Sequence, residues 1–280
     1  MQITLPDPKS PLAVLRDFGL SLRCPELRLG QSLFLLPEKN PSAPQPQALI
    51  PKPLFLPGLA GNPLAAGMLL LDGDRPLFSV DLRLEMPVAG QEPALPCIRL
   101  SALAALKPGE YHLTAMRPGP ALAWITVSDK GSLGERRDES GPAIHETIRK
   151  AMPLRCASGY LVPDEIFRLR ALAADLALVQ GYDLVIISGG TGLAPRDQTP
   201  EALLPLLERR LPGFEQAMIQ ASLRKTPHGA ISRAICGTIG QSLLLTLPGS
   251  PKAVRENLET VLPALSHALG KLQGNQEDCG

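Results

Sequence analysis

Three short runs of this chain are almost wholly apolar, and each stops against small, acidic or proline residues. Leu122–Val127 ends at Ser128-Asp129, Leu184–Ile187 ends in SGGTG, and Leu243–Leu247 ends in PGSP. A strand with one wet face alternates apolar and polar residues; a run that does not alternate is buried on both faces. Helical patterns lie between these runs. Ile144, Ile148 and Met152 share one face after Ser140-Gly141-Pro142. Phe167, Leu172, Leu176 and Val179 follow helical spacing from Asp164 and stop at Gly181. Thr199-Pro200-Glu201 reads as a helix start with Thr as N-cap, and Pro205 then bends the helix. Ser250-Pro251 opens a last helix carrying Val254, Leu258, Leu262, Leu265, Leu269 and Leu272, with Pro263 as a kink. Gly159–Val162 is a further strand. Strands alternating with helices imply an open α/β sheet, whose ligands bind outside the carboxyl ends of the strands.

The chain changes character at Pro118-Gly119-Pro120. Upstream, the segment 38–53 (EKNPSAPQPQALIPKP) reads as a loop or linker, because its prolines cannot donate to a ladder. Gln31–Leu36 and Tyr111–Met116 read as strands, with a turn at Lys107-Pro108-Gly109. In Phe78–Met86 the residues Phe78, Val80, Leu82, Leu84 and Met86 fall on one face, and Ser79, Asp81, Arg83 and Glu85 on the other. Residues 1–118 are therefore expected to form a small β-rich domain. It carries no chemical motif; His112 has no partner at metal-ligand spacing. Residues 119–280 form the α/β domain.

Bulk properties exclude several classes. A formal net charge of +1 argues against a nucleic-acid groove built on bulk basicity. The pairs Arg136-Arg137 and Arg209-Arg210 read as solvated faces. Cys24, Cys97, Cys156, Cys236 and Cys279 are odd in number and far apart, which points away from a disulfide framework or zinc site and toward a reducing cytoplasm. MQITLPDPKSPLAVL does not read as a signal peptide, and the apolar run Leu64–Leu71 falls short of the ~20 residues that span a bilayer.

The chemistry concentrates in residues 188–202, SGGTGLAPRDQTPEA. Gly189, Gly190 and Gly192 let backbone N–H groups approach an anion, and Ser188 and Thr191 add hydroxyls. The stretch is neither a Gly-Lys-Ser/Thr phosphate loop nor G-x-G-x-x-G. Taken alone, a tight turn and a phosphate cradle both fit it. Asp197, five residues past the glycines, is placed to hold Mg²⁺ against bound phosphate, or to stabilise the turn. Asp164 stands where an N-cap belongs. Asp129 follows a strand directly, as acidic site residues do in such sheets. Four polar loops at one sheet edge, with three carboxylates and a glycine cradle, point to nucleotide or phosphoryl chemistry with a metal. His145, His228 and His267 form no nucleophilic pattern, and Ser232 lacks a G-x-S-x-G context.

Six segments in order resemble the MogA/MoaB family of molybdenum-cofactor biosynthesis proteins, which includes the G domain of gephyrin. They are ITVSDKGSLGERRDESGP, LVPDE, ISGGTGLAPRDQTPEA, LPGFEQAM, ISRAICGTIG and LPGSPKAVRENL, between about Ala123 and Leu272. The resemblance implies a three-layer α/β fold, with a mostly parallel sheet and helices on both faces, and a homotrimer. It implies Mg²⁺-dependent adenylylation of molybdopterin by ATP, with pyrophosphate released and the product passed to a MoeA-type insertase. By the same resemblance Asp197 and Asp164 are the essential acids, Asp197 handling the metal. Ser128, Asp129, Ser188, Gly189, Gly190, Thr191, Gly192, Thr199, Ser232, Gly249, Ser250 and Pro251 belong to the ligand pocket. Two rival readings are a MoeA-like insertase and a non-catalytic molybdopterin-binding scaffold. Residues 1–118 lie outside the resemblance.

Overall fold

The computed structural model describes residues 14–37, 54–56, 64–88 and 91–274. The expected linker at 38–53 and the tail after Gly274 fall outside the described residues. The chain divides into two compact units, Met1–Gly119 and Pro120–Gly280.

The first unit is a seven-stranded sheet. Its strands are β1 (Val14–Cys24), β2 (Ser32–Pro37), β3 (Leu54–Leu56), β4 (Leu69–Asp72), β5 (Arg75–Val88), β6 (Gln91–Ala102) and β7 (Gly109–Met116). The order is β1-β7-β4-β5-β6-β2-β3, antiparallel at every ladder except β2–β3. Leu22, Leu35, Leu70, Phe78, Leu100 and Leu113 are among its core residues. The expected alternation along β5 is interrupted. The ladder skips Leu77 against β4 and Asp81 against β6. Each extra residue rotates the strand, so Leu77 and Phe78 are both buried while Leu82 and Leu84 are only half-buried. Asp81 accepts hydrogen bonds from Ser101 Oγ (2.6 Å) and Arg99 Nε (3.2 Å).

The second unit holds β8 (Ala121–Val127), β9 (Cys156–Val162), β10 (Leu184–Ser188), β11 (Arg209–Arg210), β12 (Cys236–Ile239) and β13 (Ser242–Leu247). Its helices are α1 (Asp129–Ser132), α2 (Ser140–Ala151), α3 (Ile166–Ala174), α4 (Thr199–Leu203), α5 (Pro212–Leu223) and α6 (Pro251–Leu272). The sheet order is β11-β12-β13-β10-β8-β9. β9, β8, β10 and β13 run parallel, whereas β12 and β11 are antiparallel additions, so the sheet is mixed. Every residue of β10 and β13 is buried, as their lack of alternation requires. On one face Leu122, Leu184, Ile186, Leu243 and Leu245 pack with Ile144 and Ile148 of α2, Met218 of α5 and Val254, Leu258 and Leu265 of α6. On the other, Ser242 Oγ donates to Ala177 O, in the π-helical turn Asp175–Val179 that continues α3.

Three local expectations are corrected. Phe167 and Val179 are exposed; of the expected stripe Leu176 is buried, and it is joined by Leu169 and Ala173 rather than by Phe167. The residue flanking α3 is Glu165, so Asp164 does not cap it. Gln198, not Thr199, is the N-cap of α4. Pro205 does end α-helical geometry: α4 stops at Leu203 and a 3₁₀ turn, Leu204–Leu206, follows.

The amino-end edge of this sheet is tied by a buried knot. Arg155 pairs with Asp183, with side chains 0% and 1% exposed. Asp183 also accepts from Ala121 N (2.7 Å) and Gln273 Nε2 (2.7 Å), and Arg155 N donates to Pro120 O (3.0 Å).

Candidate functional site

Four adjacent parallel strands deliver their carboxyl ends to one edge, and the loops after them surround a cleft of about 430 Å³. Ser128 and Asp129 follow β8, Asp164 follows β9, Ser188, Gly189, Gly190 and Asp197 belong to the end of β10 and its loop, and Gly249, Ser250 and Pro251 follow β13; all ten line it.

The glycines are there because nothing larger fits. Gly189 has φ +106°, and a Cβ on it would stand 2.4 Å from Val127 O. Gly190 has φ +62°, and its Cβ would stand 2.3 Å from Thr199 Oγ1 and 3.1 Å from Asp164 Oδ1. The loop therefore turns through left-handed conformations while pressed against its neighbours. Thr199, fully buried, donates from Oγ1 to Gly189 O (2.9 Å) and from N to Gly190 O (3.0 Å). Ser188 Oγ donates to Pro248 O (2.9 Å), joining the β10 and β13 loops.

Asp129 receives a bidentate pair from Arg196, at 2.7 and 2.9 Å, and the Asp164 amide at 3.0 Å. The Arg196 hydrogen bond, with that of the Asp164 amide, holds its carboxyl below the usual range. Asp164 behaves oppositely. Burial, then the neighbouring charges of Asp129 and Asp197, push its carboxyl up to about 6, against a hydrogen bond from the Gln198 amide. Asp197 Oδ2 accepts from Ala194 N (2.8 Å) and would lie 2.7 Å from a Cβ at Gly192.

Thr191, Gly192, Thr199 and Ser232 are not among the residues lining the cleft. Thr191 and Thr199 are buried behind the loop. Ser232 flanks the 3₁₀ turn Pro227–Ile231, and its neighbour Arg233 carries the contact that matters. Arg233 donates from N to Thr191 O (3.0 Å), from Nε to Gly192 O (2.9 Å) and from Nη2 to Asp197 O, and it pairs with Glu201. One guanidinium thus holds both ends of the segment Gly192–Asp197.

Sequence reasoning passed over five contributors. Arg196 and Arg233 act on partners 67 and 41 residues away. Asp138 accepts from Thr126 Oγ1 (2.9 Å) and from the amides of Ser140 and Gly141 (3.0 Å each), closing the β8–α2 loop at both ends. Arg136 and Arg137, read as a solvated face, are exposed but line the cleft. The DESGP spacing is a helix-start pattern that could have exposed Asp138; nothing local marks the other four.

Residues 123–267, just over half of the chain, match the family described as a probable molybdopterin binding domain. The chain belongs to that family. It is 44% identical over 155 residues to gephyrin of Dictyostelium discoideum, covering 52% of this chain and 21% of that one. It is 36% identical over 152 residues to a molybdopterin adenylyltransferase of Helicobacter pylori, covering 54% of this chain and 86% of that one. The solved MoaB of Thermus thermophilus, a molybdopterin biosynthesis enzyme, is 47% identical with TM-score 0.53, covering 55% of this chain and 97% of that one. The chain spans between about a fifth and a half of the length of the first curated relatives it matches. Residues 1–119 lie outside the family match, which begins at residue 123.

Proposed function

We propose that the unit Pro120–Gly280 works in molybdenum cofactor biosynthesis by adenylylating molybdopterin at the expense of ATP. The phosphate oxygen of molybdopterin bonds to the α-phosphorus of ATP, the bond from that phosphorus to the bridging oxygen breaks, and pyrophosphate leaves. The observation that carries this reading is the convergence of four strand-end loops on one cleft holding a glycine cradle and two facing acids, Asp164 and Asp197. Transfer of this kind asks mainly for alignment and charge neutralisation of anionic groups.

Gly189 and Gly190 present backbone close to a phosphate, and Thr199 and Arg233 keep the loop from relaxing. Asp164 and Asp197 suit a hard divalent ion such as Mg²⁺. Their charges already disfavour one another, and Mg²⁺ commonly takes one or two carboxylates and fills its shell with phosphate and water. Among the described residues no group of three or more His, Cys, Asp or Glu forms a cage for a metal, so phosphate would supply the remaining ligands. When bound, the ion would neutralise charge shared between the two phosphate groups. Asp197 is the principal residue for holding it, with Asp164 beside it.

A homotrimer and transfer of the product to a MoeA-type insertase follow from the same family resemblance, and a cytoplasmic setting from the odd, widely spaced cysteines. Among the described residues no helix is long and apolar enough to cross a membrane. The deciding experiment mixes the purified full chain with molybdopterin and Mg-ATP and follows adenylylated molybdopterin. Asp197→Asn should lower turnover by roughly 100-fold or more, the scale of losing an electrostatic stabiliser, while molybdopterin still binds. No product from the unaltered chain under conditions where molybdopterin binds would replace this reading with that of a scaffold.

A further inference from the structure

The cations near the cleft are of two kinds. Arg196 is spent on Asp129, and Arg233 on Glu201 and the loop carbonyls. Lys130, Arg136 and Arg137 line the cleft itself and have no ion-pair partner among the described residues. All three come from the segment between β8 and α2, and its backbone is folded tightly. The amides of Glu135 (2.9 Å) and Arg136 (3.2 Å) both donate to Lys130 O, with Gly134 at φ +76° making the turn. Ser128 Oγ accepts from Gly131 N (3.1 Å) at one end, and Asp138 fastens the other. Of the three carboxylates on the same stretch that line the cleft, Asp129 is paired with Arg196 and Asp138 is occupied by three donors, leaving Glu139 against three cations.

An ordered loop that aims three unpaired cations at a cleft already furnished with a glycine cradle has the wrong charge for a single phosphate. The backbone N–H groups of the cradle can manage that. It has the right charge for a chain of phosphates. The segment also ends where α2 and α6 begin: Ser140 Oγ donates to Gly249 O (2.8 Å), and no side chain caps the first amides of α6. The amides that open α2 are already held by Asp138, so the α6 end is the one left to favour a bound negative charge.

We propose that Lys130, Arg136 and Arg137 form a polyphosphate subsite that takes the β- and γ-phosphates of the nucleotide and then the pyrophosphate. This leaves the glycine loop for the phosphate of the pterin. The assignment rests on the adenylylation reading for the identity of the nucleotide, but the anion preference can be tested without turnover. Binding of inorganic tripolyphosphate to the full-length protein is measured by calorimetry at low and moderate salt. The unaltered chain should bind it more weakly as salt rises. The double variant Arg136→Ala/Arg137→Ala should bind it roughly 30-fold or more weakly, the loss expected for two charge-assisted contacts. A charge-matched control, Arg149→Ala/Lys225→Ala, removes exposed cations that do not line the cleft and should bind as the unaltered chain does. In the adenylylation assay the Arg136/Arg137 variant should raise KM for ATP while molybdopterin binding holds.

Equal tripolyphosphate affinity in the Arg136/Arg137 variant and the parent, no binding by the parent, or an equal loss in the control would each overturn the subsite. Selective loss in the Arg136/Arg137 variant from a chain that makes no adenylylated product would keep the subsite and remove the adenylylation reading instead.

Discussion

Both units fold a sheet over a buried core, and in the second the strand ends gather the loops around a cleft. In the first unit neighbouring strands are antiparallel except at β2–β3, so successive connections leave from both ends of the sheet. Polar residues there serve one another locally, as Ser101 and Arg99 serve Asp81. In the second unit helical crossovers return the chain to the same side. β9, β8, β10 and β13 therefore all end at one edge, and residues from 128 to 251 meet. Strand direction, more than composition, decides where chemistry can be collected.

Two glycines sharpen the contrast. Gly190 at φ +62° and Gly73 at φ +60°, in the β4–β5 turn, share nearly the same left-handed φ. A Cβ at Gly73 meets nothing within 4 Å, whereas at Gly190 it meets Thr199 Oγ1 at 2.3 Å. Gly73→Ala should cost about 1–2 kcal/mol, the left-handed penalty alone. Gly190→Ala should add about 1–3 kcal/mol of overpacking to that penalty and take adenylylation with it. Urea unfolding, followed in the transition of each unit separately, makes the measurement. Equal costs would show that backbone conformation, not close approach, demands glycine in the cradle.

A smaller difference is expected between two hydroxyls. Thr199→Val removes a donor from the buried carbonyl of Gly189 and should cost about 1–3 kcal/mol. Ser101→Ala, losing a half-buried bond to Asp81, should cost less than about 1 kcal/mol. A Ser101 effect as large as that of Thr199 would remove the distinction between structural and site-bearing polar contacts.

The smallest effect is tied to pH. Asp164 holds its proton more tightly in the folded chain, at about 6, than in the unfolded chain, where an ordinary aspartate titrates near 3.8. The folded state therefore gains stability as pH falls through 6 toward 4, and bears the cost of the charge above 6. Asp164→Asn should stabilise the second unit at pH 8 by on the order of 1 kcal/mol, screened because the carboxyl is only partly buried, and by nothing near pH 4. Melting curves at the two values test it; a gain independent of pH would assign the effect to packing.

The sequence made the second unit legible where burial is total. LVII and LLLTL can be little else than strands, and the glycines that follow them mark an edge. It was poorly legible where a residue's role is set at a distance. Cys236–Ile239 became a strand because β13 stands beside it, and CGTI has neither alternation nor an apolar run. Thr199 and Asp164 look like helix caps because their types suit caps. The fold instead uses Thr199 to hold a carbonyl ten residues back, and it sets Asp164 beside two other acids. Phe167 fits a helical stripe by spacing alone, but the fold buries Leu169 and Ala173 and leaves Phe167 in solvent.

The knot of Arg155, Asp183 and Gln273 has a mechanical meaning. The chain enters the second unit at Pro120 and Ala121, and both are gripped there, by Arg155 N and Asp183. β8 then runs for seven residues before reaching Ser128, about 23 Å at strand rise. The grip therefore sets where β8 begins, and with it the register in which the strand delivers Ser128 to the carboxyl edge, as a clamp on one end of a ruler fixes what the other end reads.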